Sequence, residues 1–155
     1  MAAPSRSDRF VAGMSQVIGG PLGAHAGWRQ RFWSVGRIVL ALTCLTLALH
    51  WVQKSPCRNP AEWAELQQYT RFCYSDVIAL YGVPGGLSSG GLPYLDYPLE
   101  YPVLTGVFMA LIGVPVHRLA QAFPGLPEFT WFYDGTALAL GVLAVAAVAM
   151  MLSLP

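Results

Sequence analysis

The sequence contains little charge. Only 11% of its 155 residues are Asp, Glu, Lys or Arg, whereas 55% are hydrophobic. A soluble domain of average composition has about a quarter charged residues. This chain has too few ionised side chains to cover a soluble surface, and its apolar residues form blocks long enough to cross a bilayer. The composition therefore predicts an all-α integral membrane protein.

Basic clusters are also missing. The formal net charge is +1, and no group of Lys and Arg is interleaved with aromatic residues, so nucleic acid is not an expected partner. The three histidines fall in different predicted compartments, which argues against a metal site or a histidine-dependent nucleophile. No cofactor is implied.

Cysteine is rare, with three residues in the chain. Cys57 and Cys73 lie in one predicted loop and form a candidate disulfide pair. A continuous helix over residues 59–73 would place their sulfurs on the order of 20 Å apart, beyond the ~7 Å limit on the Cα separation of a disulfide. Either the pair is reduced or the helix breaks. Cys44 lies within an apolar block and is interpreted as a packing residue.

Three apolar blocks are each about as long as the hydrocarbon core of a bilayer, about 30 Å. The first is longer than a signal-peptide core and lacks a clear cleavage site, so it is expected to stay attached. The polar segment before it, residues 1–31, is predicted to be a flexible cytoplasmic tail. The membrane domain, residues 32–155, has predicted spans at about 33–52, 101–119 and 133–154, with a loop at 53–100 between the first two.

The distribution of charge predicts the orientation. Five Arg lie at or before the start of the first span against one Asp, whereas the loop at 53–100 has three basic and five acidic residues. Basic residues favour the cytoplasmic side of a membrane. We therefore predict a multi-pass protein of the plasma membrane with a cytoplasmic N-terminus and an external loop. Three spans then place residues 117–132 inside and the C-terminus outside.

The external loop opens with a helix-start pattern. Asn59 suits an N-cap, Pro60 the first helical position, and Glu62 completes a capping box. Apolar residues then recur at spacings of three and four from Trp63 to Leu80, the pattern of an amphipathic helix lying on the membrane surface.

Asp76 interrupts the apolar face of this predicted helix. One interpretation is that the helix breaks at Ser75 and that Asp76 supports a new N-terminus, where a carboxylate is favoured. The other is that Asp76 is a partly desolvated carboxylate with raised proton affinity, suited to accept a proton from a hydroxyl group. The pattern alone leaves both open.

Two further loop segments have alternative interpretations. Residues 82–93 are rich in Gly but lack the Lys of a phosphate loop, so they are either a connector or a backbone surface for a phosphate group. Residues 93–102 contain three Tyr, three Pro and two acids, Asp96 and Glu100. They form either an aromatic belt at the interface or a surface on which acids bind sugar hydroxyls and tyrosines stack on the ring.

The order of short motifs in this loop resembles that of a known enzyme family, glycosyltransferase family 87, the polyprenyl-phosphate-dependent mannosyltransferases of the GT-C fold found in actinobacteria. The resemblance covers about residues 35–155. The motifs are Tyr74-Ser75-Asp76-Val77, Leu80-Tyr81-Gly82, Leu92-Pro93-Tyr94-Leu95-Asp96 and Glu100-Tyr101-Pro102-Val103-Leu104-Thr105-Gly106.

The resemblance implies sugar transfer, with mannose the expected sugar, from a polyprenyl-phosphate donor to an extracytoplasmic glycan or glycolipid. Asp76 is the implied catalytic base. Asp96, Glu100 and Tyr101 would orient acceptor hydroxyls, and Arg71 is a local candidate for the lipid phosphate. No metal is required for this reaction.

The chain departs from the family in two respects. Val103 stands where related proteins often have a second proline, and enzymes of this class have many more than three spans. We therefore expect the chain to be an N-terminal portion of such an enzyme. The alternative from another class is a non-enzymatic membrane scaffold or accessory protein whose loop docks a partner.

Overall fold

The structure, a computed structural model, describes residues 35–60, 63 and 66–153. The predicted tail at 1–31 lies outside these residues. Within the described part, the chain is helical without strands, and three helices are long and apolar enough to cross a membrane. The prediction of an all-α membrane protein with three candidate spans is confirmed.

The described residues include five α-helices and two short 3₁₀ turns. The turns are Ser55–Cys57 and Leu87–Ser89. The helices are α1 (Val35–Lys54), α2 (Gln67–Thr70), α3 (Asp76–Tyr81), α4 (Val103–Ala122) and α5 (Glu128–Ser153).

The candidate spans extend beyond their predicted ends. Helix α4 continues through Pro115, which removes one backbone donor without ending the helix. Helix α5 begins at Glu128, five residues before the predicted boundary at 133, and has this acid in its first turn, where the helix dipole favours negative charge. Glu128 lowers the local hydropathy at the start of α5, so the sequence alone places the start of this span too late.

The predicted amphipathic helix of the loop is not continuous, and this part of the prediction is wrong. Leu66 and Phe72 have left-handed backbone conformations, with φ of 62° and 54°. Leu66 precedes the short helix α2, and Phe72 lies between α2 and α3. An α-helix cannot pass through such residues. Glu62 of the predicted capping box at Asn59 lies outside the described residues.

The described residues divide into two compact units. One contains the residues up to Leu47 together with those from Gly141 onward, and the other contains Ala48–Leu140. In the first, Gly141 comes close to the side chain of Leu47.

The second unit has the core that supports the loop. Tyr81 stacks on Phe132 with ring centroids 4.0 Å apart, and both side chains are fully buried. Gly113 lets the backbone of α4 approach this pair, since a Cβ there would lie 3.1 Å from Tyr81 and from Leu87. Core residues of this unit are Tyr81, Leu87, Met109, Val116 and Phe132.

Candidate functional site

A disulfide between Cys57 and Cys73 closes the first part of the loop. Their Cα atoms are 5.7 Å apart and both residues are buried. The Nζ of Lys54 donates to the backbone oxygens of Phe72 and Tyr74, each at 3.1 Å, and holds the same turn from the end of α1. Of the two alternatives left open by the sequence, the helix breaks and the disulfide forms.

Asp76 begins helix α3. The hydroxyl of Ser75 accepts a hydrogen bond from the Val77 backbone at 3.4 Å, so Ser75 is the N-cap and Asp76 is the first helical residue. This is the local geometry of the first interpretation. Asp76 is also exposed, so the desolvated carboxylate of the second interpretation is not found. A chemical role for Asp76 must therefore come from its neighbours rather than from burial.

Two tyrosines flank the Asp76 carboxylate. The Tyr101 hydroxyl donates to its Oδ2 at 2.9 Å. This hydrogen bond raises the pKa of Tyr101, because ionising the phenol would remove the donated bond and place two negative charges together. A hydrogen bond to Asp76 likewise raises the pKa of Tyr74. Both phenols are therefore protonated at neutral pH, and that of Tyr101 is directed at the carboxylate.

An aromatic cluster adjoins this carboxylate. Tyr74 stacks on Tyr69 with centroids 5.3 Å apart and planes 18° from parallel, and Trp63 lies 5.6 Å from Tyr74 on a tilted plane. The indole of Trp63 donates to the Cys57 backbone oxygen at 3.0 Å, which attaches the cluster to the disulfide. Tyr69 is 55% exposed, so the cluster presents an open ring surface.

The other predicted site residues are only partly brought together. Tyr101 contacts Asp76, whereas the Oδ2 of Asp96 accepts from the Leu92 backbone at 2.8 Å and holds a turn. Glu100 is exposed next to Tyr101, and its charge contributes to the raised pKa of that phenol. Arg71 is exposed in the turn after α2. Asp96 is therefore a structural carboxylate in this loop.

Sequence reasoning missed an ion pair at the start of α5. Arg58 Nη1 donates to both carboxylate oxygens of Asp134, at 3.0 and 2.8 Å, and its guanidinium lies 4.9 Å from the Trp51 ring centroid. The Trp51 indole also donates to Asp134 at 2.9 Å. The signal was present in the sequence, because an acid inside an apolar block needs a partner.

A second missed network joins the loop to both neighbouring helices. Tyr81 donates to Glu128 Oε1 at 2.6 Å, and His117 Nδ1 lies 3.0 Å from the same oxygen. Burial, followed by the hydrogen bond to Glu128, raises the pKa of Tyr81 strongly. These contacts bring residues 117 and 128 against the loop.

The site has no evident metal centre. Among the described residues, no group of three or more His, Cys, Asp or Glu side chains is arranged to hold a metal ion. What the arrangement offers is a solvent-accessible carboxylate, two phenol donors and an exposed aromatic surface. Comparison with known proteins finds no matching family model, no matching curated protein and no matching solved structure.

Proposed function

We propose that this chain provides the acceptor site of a membrane glycosyltransferase. The enzyme would transfer a sugar, with mannose the expected one, from a polyprenyl-phosphate donor to a hydroxyl of an extracytoplasmic glycan or glycolipid. One observation carries the proposal: the exposed Asp76 carboxylate receives the Tyr101 hydroxyl beside the stacked Tyr69 and Tyr74 rings. The motif order that resembles glycosyltransferase family 87 agrees with this chemistry.

The aromatic cluster suits a sugar for a physical reason. The C–H bonds on one face of a pyranose form an apolar surface that packs on an aromatic ring, while its hydroxyls need polar partners at the edge. Tyr69 offers an exposed ring for the sugar face, and the exposed Asp76 offers carboxylate oxygens that accept hydrogen bonds from the sugar hydroxyls. Tyrosine is well suited to such a surface because it combines an apolar body with a polar tip.

Asp76 acts as the general base in this proposal. A proton passes from the acceptor hydroxyl to a carboxylate oxygen, the acceptor oxygen bonds to the anomeric carbon, and the bond from that carbon to the phosphate oxygen breaks. The polyprenyl phosphate leaves with the electron pair, and the anomeric configuration inverts. Tyr101 donates to the carboxylate and holds its orientation, and Arg71 in the turn after α2 is the candidate cation for the leaving phosphate.

The proposal includes the sidedness of the protein. The Arg-rich N-terminal segment favours the cytoplasm, and the disulfide of the loop favours an oxidising compartment outside the plasma membrane. In this arrangement the carboxylate faces the compartment where lipid-linked sugars are used. The chain would act as the N-terminal portion of the enzyme, with further helices binding the donor.

The decisive experiment replaces Asp76 in the full polypeptide, reconstituted in vesicles with polyprenyl-phosphate mannose and a glycan acceptor. Asp76→Asn keeps the shape of the side chain and removes its basicity, so transfer should fall by about 10²- to 10⁴-fold. Ser75→Ala is the matched control, because it removes the helix cap and leaves the carboxylate in place. It should cost about 1 kcal/mol of helix stability while transfer continues.

Two outcomes would count against the proposal. Retained transfer in Asp76→Asn would remove this residue from the chemistry. If neither variant nor the parent protein transfers sugar or binds the acceptor, the alternative of a non-enzymatic scaffold or accessory protein is favoured. Binding is measured separately by the change in tryptophan fluorescence on adding the glycan, and Trp63→Phe identifies the part of the signal that comes from Trp63.

A further inference from the structure

The segment 81–101 follows helix α4 along most of its length. Near the start of the helix, the Tyr94 hydroxyl donates to the backbone oxygens of Tyr101 and Pro102, at 2.7 and 2.8 Å. The ring of Tyr94 covers Gly106 so closely that a Cβ there would overlap it. The loop is therefore attached to the first turns of α4.

The same segment also reaches the other end of α4. The Gly90 backbone packs on His117, where an added Cβ would lie 3.4 Å from Nε2. Tyr81 donates to Glu128, which also contacts His117. From Gly106 to His117 the contacts cover about 16 Å of helix at 1.5 Å per residue.

A helix with such a cover is poorly placed to cross a bilayer. Irregular backbone is tolerated at hydrocarbon depth only where protein encloses it or where it lines a water-filled cavity, because unpaired N–H and C=O groups are costly there. Pro84, Gly85, Ser89 and Gly90 of the covering segment are exposed. The loop therefore lies in water or among the lipid headgroups. The face of α4 that the loop covers lies at the same depth along the length of the helix.

The opposite face of α4 is bare and apolar. Val103, Leu104, Val107 and Leu111 are 48–79% exposed and recur at helical spacing, whereas the face turned toward the protein is buried at Gly106, Met109, Gly113 and Val116. With its other face covered by the loop, α4 has an apolar stripe that can enter the hydrocarbon of one leaflet, as the apolar face of an interfacial helix does. Val107 and Leu111 of this stripe also line an apolar groove of about 440 Å³ between residues 92–95 and α4.

The start of α5 lies on the side of the loop as well. Asp134 is paired with Arg58, which lies four residues after α1 ends at Lys54. Residues 135–153 then contain no charged side chain and extend about 28 Å as a helix. That length is enough to cross the hydrocarbon core by itself.

We propose that α4 does not cross the membrane and instead lies at the interface on the side of the loop, with its apolar stripe in the hydrocarbon of that leaflet. Helices α1 and α5 are then the two crossing helices. Both ends of α4 lie on one side, together with Asp76, and the end of α5 lies on the other. This inference stands without the proposed sugar transfer.

Single-cysteine labelling distinguishes this topology from three alternating spans. In a Cys44→Ser background, the two remaining cysteines form the disulfide, so each introduced thiol is the only free one. The reporters are Ser89→Cys in the loop, Ala122→Cys at the end of α4 and Ser153→Cys at the end of α5. Intact cells are treated with a membrane-impermeant maleimide, and detergent-opened cells establish that every thiol reacts.

The proposal expects Ala122→Cys to be labelled together with Ser89→Cys, and Ser153→Cys to be protected when they react. A topology of three alternating spans predicts the opposite results, with Ala122→Cys protected and Ser153→Cys labelled. When Ser89→Cys is labelled, either of these two results would overturn the proposal. Pro127→Cys is a second reporter for the connection, and retention of the disulfide in each variant shows that the loop has folded.

A second experiment tests whether lipid, protein or water covers the apolar stripe of α4. A spin label at Leu111→Cys in vesicles of phosphatidylethanolamine and phosphatidylglycerol should be relaxed by oxygen, which concentrates in hydrocarbon, and little by a water-soluble nickel chelate. The Ser89→Cys label should show the opposite preference. Exclusion of both agents at Leu111 would mean that protein covers the stripe, and strong relaxation by the chelate would mean water; both results contradict the proposal.

Discussion

Removal of the Cys57–Cys73 disulfide should loosen the loop that carries the candidate site. The cysteines are 16 positions apart, and in the chain-entropy description closing a loop of this size stabilises the folded state by about 3 kcal/mol. Both residues are buried, so Cys57→Ala/Cys73→Ala removes the bond without placing a new polar group in the interior. A loss of about 3 kcal/mol raises the population of the open loop by roughly 100-fold.

Amide hydrogen exchange measures this opening. The N–H groups of Cys73 and Tyr74 both donate to the Gln68 backbone oxygen, at 3.1 and 3.0 Å, so their exchange requires the turn to open. In the double variant these amides should exchange about 100-fold faster, whereas Cys44→Ala, at an exposed position in α1, should leave them unchanged.

Thiol counting gives the result that would refute this reasoning. The denatured, unreduced protein should have one reactive thiol, and three after reduction. Three thiols before reduction would show that the bond is absent in the native protein. Unchanged exchange in the double variant, with the bond present in the parent, would show instead that the turn is held by contacts such as those of Lys54.

Three further predictions concern side chains whose contacts are well defined. In a double-mutant cycle, Arg58→Ala and Asp134→Ala should show a coupling of about 1 kcal/mol in unfolding midpoints, because both groups are partly exposed and solvent weakens the pair; additive effects would contradict it. Asp76→Asn should lower the pKa of Tyr101 toward the ordinary value of 10.0 in an ultraviolet titration, because the variant removes the carboxylate whose hydrogen bond and charge raise it. In the parent protein this hydrogen bond is present below the raised pKa and is lost as the pH rises through it. Gly106→Ala should cost about 1–3 kcal/mol, because its methyl group would overlap a tyrosine ring; an unchanged melting temperature would count against this packing.

The proposed position of α4 also affects the proposed chemistry. Tyr101 immediately precedes this helix and donates to Asp76, so an interfacial α4 would keep the carboxylate close to the headgroups. A lipid-linked donor presents its phosphate at the same level. The two proposals remain separable, because labelling reports topology and the Asp76→Asn assay reports transfer.

Some features of the loop could be predicted only as alternatives. The sequence placed Asp76 at either a new helix start or a desolvated face, and the structure has the helix start, with Ser75 as its cap. Capping is a local interaction, so the sequence contains its signal. Choosing between the alternatives required the break at Phe72, which depends on the distant disulfide and on Lys54.

The sequence by itself determined the helical class and the three apolar helices, because hydropathy and length act within a single segment. Tertiary structure alone decided the pairing of Tyr101 with Asp76, 25 positions away, and of Arg58 with Asp134, 76 positions away. Such contacts join residues that no local periodicity relates. Contacts of Tyr94 with Gly106 and of Gly90 with His117 bring both ends of α4 against one loop, although by composition that helix is as suited to crossing a membrane as its neighbours.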